Sequence, residues 1–229
     1  MITKEYGQRL ASSIQLERAA DVADHGTPDG ATENIFGKHT THFSTADADG
    51  NWVACTATIN TSFGSKVVVP GTGVVLNNEM DDFSIQPGVP NAFQLIGGEA
   101  NAVAPGKRPL SSMSPTIVFK DGEPILSAGA AGGPTIISQT LLAIINTVDF
   151  GMGVEAALSA PRFHHQWRPD ELKIETSTGT AIRDALRARG HKLAETDSFG
   201  ACQAVARDVN QHGFLGVADP RNGGDAGGW

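Results

Sequence analysis

The order of apolar segments after residue 40 constrains the fold of this chain more than any other feature of the sequence. β-Branched segments bounded by Gly, Pro, Asn or Asp come first, segments with helical spacing follow, and β-branched segments return near the end. The predicted strands are residues 41–45, 52–59, 73–76, 116–119, 124–128, 202–208 and 214–218, and the predicted helices are residues 136–148, 154–159 and 181–189. This order predicts an α+β fold, in which packed antiparallel sheets carry helices on a face.

Thr40 stands at the start of the first strand segment, in the sequence TTHFS. A threonine hydroxyl is a poor nucleophile at neutral pH, because a base must remove its proton as it attacks. If the chain is cleaved before Thr40, the new α-amino group, with an ordinary pKa of roughly 7.7 to 8.0, lies within one residue of that hydroxyl. One residue then supplies both nucleophile and base. The alternative interpretation is that Thr40 merely begins a strand.

The sequence before Thr40 has the properties that a cleavage site needs. Residues 3–23 carry apolar positions at helical spacing, which predicts a helix. Residues 24–34 consist of turn-forming residues without periodicity and predict an exposed flexible linker. A mobile segment shortly before Thr40 is what cleavage between His39 and Thr40 would require.

Composition excludes several classes of partner. The chain has 229 residues and a formal net charge of −8, and its Lys and Arg residues form no run, which argues against nucleic acid or an anionic membrane. No apolar run approaches the roughly 20 residues of a membrane helix, and the first residues lack the apolar core of a signal peptide. His164 and His165 are adjacent on an extended segment and should face opposite ways, so we expect no metal site there.

A series of motifs continues from Thr40 to the C-terminal region. They are TTHFS and TATIN (residues 40–44 and 56–60), NNEMDDF (77–83), RPLSSMS (108–114), the glycine pair 132–133, and APRFHH (160–165). Together they resemble the γ-glutamyltransferase (γ-glutamyl transpeptidase) family. The resemblance implies an N-terminal nucleophile (Ntn) hydrolase with a four-layer αββα sandwich. It also implies cleavage between His39 and Thr40, with residues 1–39 as the tail of the large subunit and residues 40–229 as the small-subunit catalytic domain.

The resemblance also implies a role for five polar residues. Thr40 is the nucleophile, and the hydroxyl of Thr58 supports it and orients its amine. Asn60, Glu79 and Asp82 hold the α-amino end of a γ-glutamyl donor, since an ammonium group offers three donors and no acceptor. Many family members have glutamine at the position of Glu79. From the residues alone, Thr58 is explained as a strand former, and the acidic residues as a solvated turn.

Two further motifs match the carboxylate end of the donor and the reacting carbonyl. By resemblance, Ser111 and Ser112 bind the α-carboxylate, with the help of an arginine from the large subunit. Gly132 and Gly133 precede a predicted helix, where backbone N–H groups can approach a ligand and stabilise the negative charge of an oxyanion. A phosphate-binding loop is the competing interpretation, but the Gly-Lys-Ser/Thr ending of such loops is missing.

The segment of residues 87–98 resembles the lid that covers the donor site in many bacterial members. Phe93 stands where those members have tyrosine. Phenylalanine can cover a pocket but cannot donate a hydroxyl hydrogen bond, so we expect a looser gate.

These assignments predict a γ-glutamyltransferase, or glutathione hydrolase, whose γ-glutamyl ester passes to water or to an acceptor amino acid or peptide. Neither a metal nor an organic cofactor is implied. Expected partners are γ-glutamyl compounds such as glutathione and the large subunit of the same precursor, and the expected location is periplasmic or extracellular. The alternatives are an acylase of the same family acting on glutaryl-type amides, and a catalytically silent fragment without its large subunit.

Overall fold

The computed structural model describes residues 40–208 and 213–228, together with Lys4, Gln8, Ala11, Ser12 and residues 14–18. The predicted linker over residues 24–34 and the junction before Thr40 lie outside the described residues, as does most of the predicted helix over residues 3–23. Within the described ranges, no helix is long and apolar enough to cross a membrane.

The described elements follow the strand, helix, strand order that the sequence predicts. The strands are β1 (Thr40–Ala46), β2 (Trp52–Thr58), β3 (Thr116–Lys120), β4 (Glu123–Ala131), β5 (Phe163–His164), β6 (Leu172–Glu175), β7 (Leu193–Thr196), β8 (Ala201–Asp208) and β9 (Gly213–Val217). The α-helices are α1 (Thr135–Val148), α2 (Val154–Ser159) and α3 (Thr180–Ala188). One-turn 3₁₀ helices cover Glu79–Asp82, Glu99–Asn101 and Thr176–Thr178.

The described strands form three sheets. β1 and β2 pair as an antiparallel hairpin, and β3, β4, β8 and β9 form an antiparallel sheet in that order. The third sheet has the order β5-β6-β7, and its β6–β7 pair is parallel. The predicted antiparallel pairing therefore holds for the hairpin and the four-stranded sheet but is wrong for β6 and β7.

The four-stranded sheet is covered on both faces, as the side chains of β4 show. Alternate residues of this strand face the helices and the hairpin. Leu126, Ala128 and Ala130 belong to the core cluster with residues of α1 and α2. Ser127 lies on the other face, since successive side chains of a strand point to opposite sides, and its hydroxyl contacts the hairpin through the carbonyl oxygen of Val53, 2.9 Å away. Helices, sheet and hairpin thus form three successive layers, which confirms the α+β prediction and agrees with three layers of an αββα arrangement.

The hairpin approaches the sheet closely at one glycine. A Cβ atom on Gly129 would lie 2.3 Å from the imidazole ring of His42, so only glycine lets the ring lie against the sheet. The ring nitrogens of His42 hydrogen-bond to the hydroxyls of Thr56 at 2.8 Å and Ser44 at 3.0 Å. This contact fixes the hairpin two residues from Thr40. No sequence pattern predicts this contact, because neither residue type marks such a pairing.

Acid should weaken the fold through His42. Burial lowers the pKa of His42 from 6.5 to about 4, so the unfolded chain takes up a proton between these values that the folded chain does not. The free energy of unfolding should therefore fall as the pH drops from about 6.5 to about 4, by on the order of 2 kcal/mol from this residue. Urea unfolding of the purified chain at several pH values measures this slope.

His42→Gln is the matched variant for that measurement, because glutamine hydrogen-bonds to hydroxyls but does not titrate. Burial also lowers the pKa of His164, so part of the acid sensitivity should remain in His42→Gln. An unchanged pH slope in the variant would show that His42 is not the group responsible.

The predicted strand over residues 73–76 is wrong. Val75 forms only an isolated bridge with Val68, and Gly71 and Gly73 have φ of 77° and 74°. The turn is closed by a hydrogen bond from the N–H of Val69 to the carbonyl of Val74 at 2.8 Å. β-Branched residues favour a strand only where a neighbouring strand is present to pack against, and within the described residues this segment has none.

Candidate active site

Thr40 and Thr58 occupy the open end of the hairpin. The register pairs Thr40, the first residue of β1, directly with Thr58, the last residue of β2. Their hydroxyl oxygens are 2.9 Å apart, within hydrogen-bond distance, and both residues are half-buried. A hydroxyl next to Thr40 can hold the Thr40 side chain in one rotamer and stabilise it as its proton leaves.

Asn60 connects this pair to the acidic segment. It has a φ of 74°, and its N–H donates to the hydroxyl of Thr58 at 2.9 Å. Its side-chain Nδ2 donates to Asp82 Oδ1 at 3.1 Å and to the carbonyl of Asn78 at 3.2 Å. Because both of these partners only accept, the amide nitrogen must face them, and the amide oxygen remains available to a donor group from a ligand.

Glu79 and Asp82 bracket the 3₁₀ turn that follows. Burial, and next the negative charge of Asp82, raise the pKa of Glu79 from 4.5 to about 7. Burial also raises the pKa of Asp82, although hydrogen bonds from Glu79 and Asn60 oppose the shift. The Oε1 atom of Glu79 is buried without a hydrogen-bond partner among the described residues. Burial makes the ionised form of both carboxyl groups unfavourable while the site is empty. A cationic ligand would offset this cost, so the pair is suited to bind one.

Ser111 and Ser112 lie across from this turn, and Asn101 holds the two segments together. The Nδ2 of Asn101 donates to the carbonyl of Asp82 at 2.8 Å, and its Oδ1 accepts from the N–H of Leu110 at 2.9 Å. Asn101 was not predicted from the sequence, since no motif or spacing distinguishes an asparagine in a loop. Its contacts set the distance between the acidic turn and the serine pair.

Gly132 and Gly133 form the turn between β4 and α1. Their φ values are 142° and 58°, both of which favour glycine. A Cβ atom on Gly132 would come within 2.6 Å of the Thr135 hydroxyl. The sequence therefore needs glycine here for space as well as for conformation.

A cavity of about 170 Å³ brings the predicted residues together. Its walls include every predicted side chain and Gly133, but not Gly132. The predicted residues on the wall are Thr40, Thr58, Asn60, Glu79, Asp82, Phe93, Ser111, Ser112 and Gly133. Hydroxyls, carboxyls and backbone amides thus converge on one small space, which suits a zwitterionic ligand with a reactive carbonyl.

The lid segment closes one side of the cavity. Asn91 Oδ1 accepts hydrogen bonds from the N–H groups of Phe93 at 2.9 Å and Leu95 at 3.1 Å. Gln166, which the sequence analysis also missed, donates from Nε2 to the carbonyl of Phe93 at 3.1 Å. The lid backbone is therefore anchored although Phe93 has no hydroxyl, and the looser gate stays a prediction.

His164 and His165 face opposite ways, as expected for an extended segment. His164 is buried, and its ring nitrogens contact the Ser138 hydroxyl at 2.8 Å and Gln166 Oε1 at 2.9 Å. His165 is exposed and lies 3.1 Å from Asp170. In the described part of the chain, no three His, Cys, Asp or Glu side chains cluster in a way that could hold a metal ion.

The hairpin and the helix-backed sheet define the class of protein: the fold is that of an Ntn hydrolase. A sequence model of the family described as gamma-glutamyltranspeptidase matches residues 1–229, and the chain belongs to this family. The glutathione hydrolase proenzyme of Escherichia coli (strain K12) is 44% identical over 223 residues, which cover 97% of this chain and 38% of that protein.

Two solved structures are similar over most of the chain. A γ-glutamyltranspeptidase from Pseudomonas nitroreducens complexed with L-DON is 43% identical, with a TM-score of 0.76 over 82% of this chain and 99% of that chain. A cephalosporin acylase from Bacillus halodurans is 31% identical, with a TM-score of 0.81 over 99% of this chain and 38% of that chain. This chain spans 34% to 40% of the length of the first three curated relatives it matches.

Proposed function

We propose that this chain is the catalytic part of a γ-glutamyltransferase that also hydrolyses glutathione, with Thr40 as the nucleophile. The observation that carries the proposal is the position of Thr40, whose hydroxyl lies 2.9 Å from that of Thr58 on the wall of the cavity. Cleavage before Thr40 releases an α-amine that is bonded to the same Cα as the reacting side chain.

The cavity supports a γ-glutamyl group as the acyl donor. The ammonium of such a donor binds between Glu79, Asp82 and the free amide oxygen of Asn60, and its α-carboxylate binds to the hydroxyls of Ser111 and Ser112. Hydroxyls carry no net charge, so the carboxylate needs a cation as well, and the arginine expected from the large subunit supplies it. The γ-carbonyl then lies between Thr40 and the glycine turn.

The proposed reaction has two steps, acylation of Thr40 and deacylation. The Thr40 oxygen bonds to the γ-carbonyl carbon as its proton passes to the α-amine, and the N–H groups of Gly132 and Gly133 stabilise the oxyanion. The C–N bond then breaks, and the amine returns the proton to the leaving amine. Water, or the amino group of an acceptor amino acid or peptide, attacks the resulting ester in the same way and releases Thr40.

The proposal includes cleavage into two subunits and a large-subunit partner. Residues 40–229 make up about 83% of this chain. The P. nitroreducens structure contains a separate chain that is matched over 99% of its length by 82% of this one. The matched 82% is close to the 83% that residues 40–229 represent, as expected if that separate polypeptide begins at the position that corresponds to Thr40. We also propose the periplasm or the cell exterior as the location, as expected for the family.

The second candidate is an acylase that removes a glutaryl-type group. The similarity to the cephalosporin acylase, with a TM-score of 0.81, favours it. A glutaryl group has no α-ammonium, so it would leave Glu79 and Asp82 without a cationic partner. Burying these carboxyls against an uncharged group is costly, and for this reason we rank the γ-glutamyl donor first.

Intact-protein mass spectrometry and two anilide substrates test the proposal. The chain is incubated at neutral pH alone and with the proposed large subunit, and then assayed with γ-glutamyl and glutaryl p-nitroanilides. We expect a fragment that begins at Thr40 and a clear preference for the γ-glutamyl compound. A preference for the glutaryl compound would establish the acylase. A full-length mass without turnover in both mixtures would mean a catalytically silent fragment.

The raised pKa of Glu79, at about 7, predicts a pH-dependent affinity for the donor. About half of the empty sites hold a protonated Glu79 at pH 7, and a bound ammonium lowers this pKa, so that binding releases a proton. Affinity should therefore rise from pH 6 to pH 8 and level off above it. Inhibition by L-glutamate, a product of hydrolysis with the same ammonium, measures the effect without dependence on the Thr40 amine as a base.

Glu79→Gln should remove most of this pH dependence while keeping an oxygen that accepts a hydrogen bond. Glu99→Gln is the matched control, because Glu99 is exposed and lies outside the cavity wall. Its inhibition profile should equal that of the unmodified protein. An unchanged profile in Glu79→Gln would exclude Glu79 as the titrating group.

A further inference from the structure

Gln139 is a polar residue in the apolar core, directly behind the glycine turn. It lies on α1 and is 1% exposed. Its Nε2 donates to the carbonyl of Ala131 at 3.1 Å and to the hydroxyl of Thr135 at 2.9 Å. Its Oε1 accepts from Arg162 Nη1 at 3.2 Å. A carbonyl only accepts and a guanidinium only donates, so the orientation of this amide is determined.

These contacts hold the two peptide groups of the turn. Gln139 binds the carbonyl of Ala131, and the Thr135 hydroxyl donates to the carbonyl of Gly132 at 2.7 Å. In a planar trans peptide the N–H points opposite to the carbonyl oxygen. The Ala131 carbonyl therefore sets the direction of the Gly132 N–H, and the Gly132 carbonyl sets that of the Gly133 N–H.

The surroundings leave Gln139 one position. A Cβ atom on Gly200 would lie 2.1 Å from its Nε2, and a Cβ atom on Gly132 would lie 2.9 Å from the same atom. Arg162, which holds the carbonyl end of Gln139, is 3% exposed and is ion-paired with the buried Asp219. Glycines on two sides and a fixed cation on the third thus lock the amide in place.

We propose that Gln139 is a positioning residue that, together with Thr135, aims the N–H groups of Gly132 and Gly133 at the oxyanion of the reaction. The proposal rests on the function proposed above, in which these N–H groups stabilise the tetrahedral intermediate. Neither side chain touches the substrate. Their role is to prevent the two peptide groups from rotating when negative charge develops.

Gln139→Glu tests this role with little change in shape. A carboxylate still accepts from Arg162, but it cannot donate to Ala131 or Thr135. One oxyanion donor is worth about 10²-fold to 10³-fold in kcat, so we expect kcat to fall about 10²-fold while the donor KM changes by less than about 3-fold. A γ-glutamyl boronic acid analogue, which becomes tetrahedral when bound, should lose about as much affinity as kcat loses, whereas inhibition by L-glutamate should not change.

Matched variants distinguish a loss of N–H orientation in the glycine turn from a general loss of folding. Thr135→Val should lower kcat in the same way, and Thr135→Ser should restore it, so this pair decides the question even if Gln139→Glu does not fold. Thr140→Val is the control, because Thr140 is 2% exposed on the same helix and its hydroxyl has no hydrogen-bond partner among the described residues. It should leave kcat unchanged.

All variants are compared in the complex with the proposed large subunit. Unchanged kcat and unchanged boronate affinity in Gln139→Glu and Thr135→Val would overturn the inference. So would a rise in KM that accounts for the whole loss, because binding rather than the intermediate would then be affected. An unmodified complex without γ-glutamyl turnover would instead reject the proposed function itself, so the two failures are distinguishable.

Discussion

Thr40→Ala should abolish both cleavage of the chain before residue 40 and turnover of γ-glutamyl substrates. In the proposed mechanism, cleavage and turnover use the same hydroxyl, first on the carbonyl of the preceding residue and then on the donor. Removal of a catalytic nucleophile lowers kcat by at least about 10⁴-fold. Mass spectrometry should find the uncleaved chain, and the γ-glutamyl anilide assay should fall to background.

Three variants make this result specific to the hydroxyl. Thr40→Ser keeps the hydroxyl and should retain cleavage and turnover at reduced rates. Thr58→Ala removes the partner 2.9 Å away and should give an intermediate loss, since the nucleophile remains but is less well held. Thr41→Ala changes the next, exposed residue of the same strand and should have little effect. Turnover by Thr40→Ala close to that of the unmodified protein would exclude Thr40 as the nucleophile.

The sequence predicted the elements of this fold well wherever periodicity and boundary residues agreed. Helix α1 begins one residue before the predicted start and ends where predicted, and α2 has the predicted bounds. Residues 136–148 combine helical spacing with a preceding Gly-Gly-Pro turn, and both signals indicate the same element. The sequence missed β5, β6 and β7, which are two to four residues long. Strands this short are specified by the neighbours they pair with rather than by their own pattern.

The candidate site was predicted by motif, and the residues that support it were not. Every predicted side chain lies on the cavity wall together with Gly133. By contrast, Asn101, Gln139 and Gln166 act through hydrogen bonds to backbone carbonyls or N–H groups. A side chain that hydrogen-bonds to a backbone group requires no particular residue type in its partner. No sequence spacing therefore predicts such a contact. Their contribution is visible only once distant segments are brought together.

The acidic turn and the glycine turn place opposite demands on the protein. Around Glu79 and Asp82, burial makes the carboxylates costly until a cation arrives, as their raised pKa values indicate. At Gly132 the carbonyl is satisfied by Thr135, so the backbone is oriented before any substrate binds. Under the proposed function, binding selectivity would therefore come from groups left unsatisfied in the empty site, and stabilisation of the intermediate from groups that are already fixed.

Asp82→Asn should also cause a large loss of activity, through binding rather than through chemistry. Asparagine has the same shape as aspartate but no charge, so the donor ammonium would lose the charge-assisted hydrogen bond that the proposed function assigns to Asp82. Such a bond contributes roughly 1.5–3 kcal/mol, which corresponds to a fall in kcat/KM of about 10-fold to more than 100-fold. The loss should appear mainly as a higher KM for the γ-glutamyl anilide, while cleavage before Thr40, which involves no donor, should proceed.

Asp81→Asn is the matched control for this experiment. Asp81 is adjacent in sequence, but its carboxylate accepts from Asn78 Nδ2 at 2.7 Å and is not part of the cavity wall. This variant should keep its KM. The two carboxylates have the same formal charge at neighbouring positions, so a change in the overall field of the turn would affect both variants alike. A rise in KM confined to Asp82→Asn would show direct contact with the ammonium, and an equal rise in both would rule it out.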